Sequence, residues 1–316
     1  MKNEQILVLG ANGQIGTVLT EELRKMYGVQ NVLATDIQKQ AIHQGPFEQL
    51  DILNSQRLDE VVEKRKITQI YHLAAILSAR GEKNPKWAWD INMTGLFNVL
   101  ESAKTHGCRV FFPSSIAVFG SEAPKENTPQ HAVLQPKTVY GISKVAGEHW
   151  CNYYHEKYDV DVRSVRYPGI IGHQSMPGGG TTDYAVDIYH KALQGEVFEC
   201  FLTADMKLPM MYMPDAIRAT LEIMAAPAEQ IKVRTSYNIA GTSFDPQEIY
   251  EIIKKQIPDF QIVYKPDFRQ AIAESWPASI DDAQARNDWG WQPEYNLESM
   301  TRDMLAHLAE RYEGVG

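Results

Sequence analysis

The sequence predicts an α/β fold built on a doubly wound parallel sheet, with a smaller region towards the C-terminus. In the first half of the chain, short β-branched runs alternate with longer amphipathic stretches, which is the pattern of successive βαβ units. A glycine-rich turn follows the first run and opens the first amphipathic stretch. Beyond Tyr167 the alternation loosens, and glycines and prolines interrupt it.

The alternation assigns the main elements in order. Five runs have the length and composition of buried strands: Gln5–Leu9, Asn31–Thr35, Gln69–Leu73, Arg109–Pro113 and Val160–Arg166. Helices are predicted between or after them at Gln14–Met26, Ser55–Lys64, Pro85–Thr105 and Thr138–Tyr158. Residues 1–167 therefore form the predicted main domain, and residues 214–240 return to it. Residues 168–213 and 241–316 form mainly the predicted substrate-binding region.

Composition limits the classes of function. The chain has 316 residues, of which 44% are hydrophobic and 22% charged, as in an ordinary globular protein. Its formal net charge of −9 disfavours nucleic acid and anionic lipid as partners. Neither an 18-residue apolar run nor a signal-peptide pattern is visible, and the three cysteines lie far apart. We therefore expect a cytoplasmic protein that binds small molecules, with no nucleic acid and no membrane as partner.

The turn after the first predicted strand has the spacing GxxGxxG, from Gly10 through Gly13 to Gly16. Gly10 permits a tight turn, Gly13 lets the backbone approach a pyrophosphate, and Gly16 lets strand and helix pack closely. The following helix offers N–H groups and a partial positive charge to the phosphates. A glycine triplet alone can be an ordinary loop, but its place between strand and helix favours a Rossmann-type dinucleotide site. The predicted contacts in this loop are Gly10, Asn12, Gly13, Gln14, Ile15 and Gly16.

Asp36 ends the second predicted strand, about 20 residues beyond Gly16, as the dinucleotide-binding pattern requires. A carboxylate there can accept hydrogen bonds from the adenosine ribose and repels a 2′-phosphate, which favours NAD over NADP as the cofactor. Ile37 beside it is a further predicted contact. Asp51 and Ile52 follow the next segment and are predicted near the adenine, although an aspartate in a loop is more often a cap.

Tyr140 and Lys144 lie four residues apart in a predicted helix, so they share one face. A free tyrosine has a pKa of about 10, and a nearby ammonium and a positive nicotinamide ring both favour the phenolate. Lowering that pKa by about three units takes roughly 4 kcal/mol. Ser115 follows the fourth strand, where its hydroxyl can hold a reacting oxygen while Tyr140 accepts the proton. The alternatives are a surface Tyr–Lys pair without a function and serines that cap a turn.

The glycine loop, followed along the chain by Asp36, Ser115 and the Tyr140–Lys144 pair, resembles the motif order of the extended short-chain dehydrogenases/reductases. This family includes nucleotide-sugar epimerases. The matching segments span nearly the whole chain: Gly10–Gly16, Leu73–Ala75, Asn92–Leu100, Ser114–Gly120, Tyr140–Lys144 and Asn287–Pro293. The resemblance implies that Ser115, Tyr140 and Lys144 carry the chemistry and that Lys144 also binds the nicotinamide ribose. Further predicted cofactor contacts are Leu73, Ala74, Ala75, Tyr140 and Tyr167.

Two blocks depart from the sugar-nucleotide enzymes of this family. Where those enzymes carry a segment like N-x-Y-G-P-R, this chain has Tyr167–Gly172 and then Pro177–Tyr184. Together with Ala75–Ala79 and Ser275–Pro277, these blocks resemble the short-chain type of L-threonine 3-dehydrogenase. The resemblance implies that NAD oxidises the C3 hydroxyl of L-threonine to give 2-amino-3-oxobutanoate.

The same blocks offer groups that suit a small amino acid. The glycine run with Thr181 and Thr182 offers N–H groups and hydroxyls to a carboxylate, and nearby oxygens can accept hydrogen bonds from an ammonium. Trp276 can close over the substrate, although core packing is the commoner fate of a tryptophan. Asp183 can equally cap the helix that follows it. The predicted substrate contacts are Ser78, Ser114, Gly180, Thr181, Thr182, Asp183 and Trp276.

Assembly and metal content complete the expectations. The nine histidines form no HExxH or Cys/His cluster, so no metal is predicted. The apolar arcs of Pro85–Thr105 and Thr138–Tyr158 are wider than one sheet face needs, and the family resemblance implies a homodimer through these helices. An unusually thick core is the alternative.

Two rival functions follow from the same motifs. One is a nucleotide-sugar epimerase or dehydratase of the same family. The other is a non-catalytic NAD-sensing protein. The presence of Ser115, Tyr140 and Lys144 argues against a sensor, because a sensor needs no proton acceptor.

Overall fold

The structure, a computed structural model, describes residues 4–40, 42, 44–178 and 180–313, with the backbone alone at Ala79 and Glu313. The strands are β1 (Ile6–Leu9), β2 (Val32–Asp36), β3 (Phe47–Gln49), β4 (Gln69–His72), β5 (Arg109–Ser115), β6 (Val162–Tyr167), β7 (Gly169–Ile171), β8 (Phe198–Cys200), β9 (Leu208–Tyr212), β10 (Tyr237–Asn238), β11 (Thr242–Phe244) and β12 (Ile262–Tyr264). The α-helices are α1 (Gln14–Tyr27), α2 (Ser55–Arg65), α3 (Ser78–Gly81), α4 (Pro85–His106), α5 (Val139–Tyr158), α6 (Tyr184–Gln194), α7 (Met213–Ala225), α8 (Pro246–Gln256), α9 (Phe268–Ala273), α10 (Ala283–Trp289) and α11 (Leu297–Glu313). Within these described residues, no helix is long and apolar enough to span a membrane.

The main sheet has the order of a dinucleotide-binding fold. In the described part of the chain, seven strands form this sheet in the order β10-β6-β5-β4-β1-β2-β3. β1 pairs in parallel with β2 on one side and with β4 on the other, so the chain crosses over in opposite directions from β1. Every residue of β1, β4 and β6 is buried, as expected for parallel strands that helices cover on both faces. The predicted doubly wound, Rossmann-type fold class is confirmed.

The predicted elements of the main sheet are all present, with ends within two residues of the predicted ones. The sequence did not predict β3, which has three residues and therefore too short a pattern to recognise. Two smaller sheets, β11-β9-β7 and β12-β8, were also not predicted, and all of their strands except the five-residue β9 have only three residues. Asn31, predicted to begin the second strand, lies instead in a short 3₁₀ turn before β2.

The chain divides into two compact units. The first comprises residues 1–118, 138–166 and 217–237, and the second comprises residues 119–137, 167–216 and 238–316. Segment 119–137 was expected in the main domain but is part of the second unit, because its backbone pairs there. Thr128 forms a parallel bridge with Ile280, and the N–H of Ala278 donates to the carbonyl of Lys125. The two smaller sheets also lie in the second unit.

A cluster of charges around Asp161, at the start of β6, holds together several elements of the first unit. One carboxylate oxygen accepts hydrogen bonds from Arg109 at 3.0 Å and Arg163 at 2.8 Å, and the other accepts them from Arg163 at 3.1 Å and Arg234 at 2.7 Å. The fully buried Arg163 also donates to three carbonyl oxygens at the end of α7, those of residues 223, 224 and 226. Burial alone raises the pKa of Asp161, but the hydrogen bonds and charges of Arg163 and Arg234 outweigh it and hold that pKa well below its usual range.

We predict that Asp161→Asn lowers the free energy of unfolding at pH 7 by about 2–3 kcal/mol, because it leaves the buried Arg163 without a countercharge. The depressed pKa of Asp161 means that its contribution is present above the unfolded-state pKa of about 4 and is lost as the pH falls below it. Urea unfolding at several pH values measures this. The difference between wild type and variant should shrink below about pH 4. Asp159→Asn, at an exposed position two residues away, is the matched control and should leave stability unchanged.

Candidate active site

The glycine loop lies where β1 ends and α1 begins. Gly10 has a φ of 80°, and a Cβ there would lie 2.7 Å from the backbone nitrogen of Ala74. A Cβ at Gly16 would lie 2.2 Å from the carbonyl oxygen of Gly10. Packing within the protein therefore requires both of these glycines.

Gly13 has a different environment. A Cβ there would meet only the carbonyl oxygen of Gly10, at 3.3 Å, and its backbone φ of −76° suits any residue. Gly13 is the N-cap of α1, and no described side chain caps the helix there. The first turn, which contains Gln14, Ile15 and Gly16, thus presents its backbone N–H groups to an anion. A cradle of this kind fits a pyrophosphate.

Asp36 at the end of β2 faces this loop. Its Oδ2 accepts a hydrogen bond from the backbone N–H of Asn12 at 3.1 Å, and its Oδ1 accepts one from Gln38 at 3.0 Å. The Asn12 side chain donates to the carbonyl of Gln40, which ties the glycine loop to the turn after β2. The structure therefore brings together the glycine loop and the carboxylate predicted to bind the adenosine ribose.

The remaining predicted adenosine contacts differ in exposure. Ile37 is exposed beside Asp36. Asp51 is also exposed, and its Oδ1 accepts a hydrogen bond from Leu53 at 2.9 Å. Ile52 is buried in the core, where it lies 3.0 Å from the position of a Cβ on Gly95. Its side chain packs in the core, and its role as an adenine contact stays a prediction.

The segment after β4 lies against the glycine loop. Leu73, Ala74 and Ala75 are partly buried, and the backbone of Ala74 approaches Gly10 as described above. Asn92 of α4 holds the end of this segment, because its Oδ1 accepts from the N–H of Ile76 at 2.8 Å. Its Nδ2 donates to the carbonyl of Ile76 and to Ser143 of α5. Asn92 was not among the predicted contacts, although it lies in the matching segment Asn92–Leu100 and is a polar residue between Ile91 and Met93.

The side chains of Ser115, Tyr140 and Lys144 meet where β5 packs on α5. Thr138 caps α5 by accepting a hydrogen bond from Gly141, and Tyr140 lies in the first turn of the helix. The phenol of Tyr140 is hydrogen-bonded to Ser115 at the end of β5. Burial raises the pKa of Tyr140 to about 12, and the hydrogen bond from Ser115 opposes this rise. In the protein alone, the phenol rather than the phenolate is favoured, so a further cation near Tyr140 is needed to make it a base.

Lys144 lies one turn after Tyr140 and is buried. Its Nζ donates to the carbonyl of Pro113 at 2.6 Å, and it lies 5.5 Å from the centre of the Tyr140 ring. Burial lowers the pKa of Lys144 to about 8, while Cys151 and Glu148 raise it. His72, at the end of β4, is also buried, and burial together with the charge of Lys144 lowers its pKa to about 3. Lys144 is thus charged beside a neutral histidine at neutral pH.

Ser114, predicted as a substrate contact, points into the core instead. Ser114 is only 2% exposed, and its Oγ donates a hydrogen bond to Glu148 of α5 at 2.5 Å. Successive residues of a strand point to opposite faces, so Ser114 and Ser115 cannot both face a ligand. We therefore remove Ser114 from the substrate contacts. Glu148 and its partner Arg166 were not among the predicted site residues.

The other predicted substrate contact of the first unit is Ser78. It begins α3 and is partly buried. Its carbonyl accepts a hydrogen bond from Glu82, which closes the short helix. Ser78 is thus the first residue of α3, shortly after the segment Leu73–Ala75 that is predicted to contact the cofactor.

Four predicted substrate contacts of the second unit, Gly180, Thr181, Thr182 and Asp183, belong to the glycine run or follow it directly in the chain. The carboxylate Oδ2 of Asp183 accepts hydrogen bonds from the N–H groups of Gly178 at 2.6 Å and Gly180 at 2.8 Å. These N–H groups were predicted to grip a substrate carboxylate, but here Asp183 engages them. Thr181 is buried, and Thr182 packs closely on Gly169. Gly179 lies outside the described residues.

Two further predicted contacts of the second unit are well buried. Trp276 is 7% exposed, and its carbonyl accepts a hydrogen bond from Lys125 at 2.9 Å. Tyr167, predicted as a cofactor contact, is buried with its hydroxyl 3.4 Å from the carbonyl oxygen of Ala216. Both roles stay predictions.

Among the described residues, no group of three or more His, Cys, Asp or Glu side chains could hold a metal ion.

The different environments of Gly13 and Gly16 predict different effects of an alanine substitution at each position. Gly16→Ala should lower the free energy of unfolding by about 1–3 kcal/mol, because its methyl group collides with the loop backbone. Gly13→Ala should cost less than about 0.5 kcal/mol but weaken NAD binding about tenfold, because its methyl group fills the cradle. Urea unfolding and calorimetric titration with NAD separate the two effects. Wild-type affinity in a stable Gly13→Ala chain would contradict the cradle.

Comparison with known proteins agrees with this geometry. The sequence model of the NAD dependent epimerase/dehydratase family matches residues 6–240. An uncharacterised epimerase/dehydratase of Staphylococcus haemolyticus is 47% identical over 313 residues, which cover 98% of each protein.

Among solved structures, the GalE-like L-threonine dehydrogenase from Cupriavidus necator in its holo form is 57% identical, with a TM-score of 0.95. The match covers 96% of this chain and 99% of that one. A monomeric L-threonine 3-dehydrogenase from a metagenome, in its apo form, is 47% identical, with a TM-score of 0.94 and coverage of 97% and 99%. As the motifs predicted, the chain belongs to the NAD dependent epimerase/dehydratase family of extended short-chain dehydrogenases/reductases.

Proposed function

We propose that this chain is an NAD-dependent L-threonine 3-dehydrogenase, which oxidises the C3 hydroxyl of L-threonine to give 2-amino-3-oxobutanoate. The observation that carries the proposal is the grouping of Ser115, Tyr140 and Lys144 at one end of β5 and α5. The similarity of this chain to the L-threonine dehydrogenase of Cupriavidus necator, over nearly its whole length, supports L-threonine as the substrate.

The residues at the glycine loop fit NAD. The loop from Gly10 to Gly16, with Asn12 at its tip, would hold the pyrophosphate, and Asp36 would accept hydrogen bonds from the adenosine ribose. A 2′-phosphate would lie against that carboxylate, so NADP is disfavoured. Further proposed contacts are Ile37 and Asp51 near the adenine, Leu73, Ala74 and Ala75 along the cofactor, and Tyr140 with Lys144 at the nicotinamide ribose. Bound NAD supplies a hydride acceptor and a positively charged ring.

Tyr140 is the proposed general base. Its phenol is hydrogen-bonded to Ser115, whose hydroxyl would also hold the C3 oxygen of the substrate. The ammonium of Lys144 lies 5.5 Å from the Tyr140 ring centre, where its charge favours the phenolate. Tyr140 then accepts the proton of the C3 hydroxyl. Because the pKa of Tyr140 in the protein alone is about 12, the base becomes active only when further positive charge lies near it.

The proposed substrate contacts offer oxygens and N–H groups of the kinds that a zwitterionic amino acid requires. Ser78 offers a hydroxyl at the start of α3, and Thr181 and Thr182 offer hydroxyls in the second unit. Gly180 is held by Asp183, so this turn is already shaped before a ligand binds. Trp276 is proposed to exclude water from the substrate.

We predict NADH formation, followed at 340 nm, when the protein is given L-threonine and NAD. Tyr140→Phe should lower kcat by about 10³-fold, because it removes the proton acceptor, and should weaken NAD binding far less, because it removes only one hydrogen bond near the nicotinamide ribose. Circular dichroism of the variant is the control for folding. Absence of NADH formation in wild type that binds NAD would contradict the substrate.

If no NADH forms with L-threonine, two further measurements distinguish the alternatives. Interconversion of a nucleotide-linked sugar by the same protein would identify the epimerase alternative. NAD binding with neither reaction would identify a non-catalytic NAD-binding protein.

We also propose that the protein is a homodimer formed through α4 and α5. On α5, Ile142, Trp150 and Tyr153 are exposed, and Trp150 remains 38% exposed although it packs edge-on against Phe97 of α4 at 4.8 Å. Trp89 of α4 is also exposed. Exposed aromatic residues on two adjacent helices are typical of an interface. A similar structure is described as monomeric, so the assembly of this chain requires its own measurement.

Light scattering coupled to gel filtration should give twice the chain mass of 35.8 kDa. Trp150→Glu should shift the mass to that of one chain, because it places a charge in an apolar interface. Phe268→Glu changes an exposed aromatic residue of α9 and should leave the mass unchanged. A single-chain mass for the wild type would overturn this assembly.

A further inference from the structure

A buried carboxylate lies directly behind the candidate active site. Glu148 of α5 is 1% exposed, and its Oε1 accepts hydrogen bonds from Ser114 at 2.5 Å and from Nε of Arg166 at 2.9 Å. Its Oε2 accepts a second hydrogen bond from Arg166 at 2.7 Å. Glu148 therefore connects three elements, since Ser114 belongs to β5 and Arg166 to β6. The mechanism described above does not use this group.

The position of Glu148 continues a regular pattern. Tyr140, Lys144 and Glu148 are four residues apart along α5, so they lie on one face of the helix. Each meets one of three consecutive residues of β5. Lys144 donates to the carbonyl of Pro113, Glu148 accepts from Ser114, and Tyr140 is hydrogen-bonded to Ser115. The contact at Ser114 thus fixes how the end of β5 lies along α5.

Glu148 also belongs to the charges around Lys144. The titratable groups that face Lys144 are Tyr140, Glu148 and Cys151 from α5 and His72 from β4, with Arg166 of β6 behind Glu148. Burial destabilises the ammonium and lowers the pKa of Lys144, and Cys151 and the negative charge of Glu148 partly compensate for that cost. Because charged Lys144 favours the Tyr140 phenolate, the effect of Glu148 extends to the proposed base.

We propose that Glu148 is a positioning residue for the reaction, acting on Ser115 through Ser114 and on Lys144 through its negative charge. This inference rests on the proposed function for its catalytic consequence only. A purely structural ion pair would hold β5, α5 and β6 together without changing the titration of Lys144. The two roles therefore differ in a measurable quantity.

The test measures the titration of Lys144 directly, in the chain without cofactor or substrate. Lysine labelled with ¹³C at Cε gives one NMR signal per residue, and Lys144→Met assigns the signal of Lys144. The wild-type signal should titrate with a midpoint near 8. Glu148→Gln should move that midpoint down by about one unit, a tenfold change in the proton affinity of Lys144.

A second variant protects the test against loss of the fold. Glu148→Gln removes one charge of the buried Arg166–Glu148 ion pair, so Glu148→Gln/Arg166→Met removes both charges together. Its midpoint should also lie below that of the wild type, but by less than in the single variant. Glu156→Gln, at an exposed position two turns further along α5, is the matched control and should leave the midpoint in place.

The contact with Ser114 is tested by activity. Ser114→Ala keeps both buried charges, so the Lys144 midpoint should stay at the wild-type value. If Ser114 aligns Ser115, kcat with L-threonine should fall about tenfold while the Kd of NAD stays unchanged. Unchanged kcat in Ser114→Ala would overturn the part of the proposal that acts through Ser115.

The outcomes separate this inference from the proposed function. A Lys144 midpoint that is the same in the wild type and in both folded Glu148 variants would overturn the action of Glu148 on Lys144, whatever the activity. A lowered midpoint in a protein that does not oxidise L-threonine would support that action and contradict the proposed substrate.

Discussion

The contact between the end of β5 and the first half of α5 is the interaction on which the candidate active site depends. Parallel pairing with β4 fixes the backbone of β5, and Thr138 fixes where α5 begins. The helix approaches the strand closely because Gly147 has no side chain. A Cβ there would lie 2.6 Å from the ring of Phe112. At this separation, three consecutive residues of the strand contact three helix residues that lie four positions apart. Pro113 contacts Lys144, Ser114 contacts Glu148, and Ser115 lies beside Tyr140.

The same close contact buries several ionisable groups, and their balance sets the chemistry. Lys144 remains charged at neutral pH because its pKa falls only to about 8, whereas His72 beside it is neutral. Tyr140 is protonated in the protein alone. A phenolate there therefore depends on the positive charge of a bound ligand, which couples the activation of the base to occupancy of the site. The cost of burying Lys144 is offset locally, by the carbonyl of Pro113 and by the charge of Glu148.

Much of the first unit could be predicted from the sequence, because its signals are local. The spacing from Gly10 to Gly16 and the alternation of strands and helices determine the glycine loop and the order of the elements. The roles that depend on packing could not be predicted. Ser114 and Ser115 are identical in sequence, and only the strand direction decides that Ser114 faces the core.

Pairs between distant elements were also beyond sequence reasoning. Glu148 and Arg166 are 18 residues apart on a helix and a strand, so no periodic pattern connects them. In the second unit, the glycine run was predicted to offer N–H groups to a substrate carboxylate, and the sequence did not show that Asp183 engages those of Gly178 and Gly180. We propose that the β5–α5 contact prepares Tyr140 to deprotonate the C3 hydroxyl of L-threonine as its C3 hydrogen is transferred to NAD. Mass spectrometry of the NADH formed from L-[3-²H]threonine tests this most directly. The account predicts NADH one mass unit heavier than that from unlabelled substrate, and unlabelled NADH or none would contradict it.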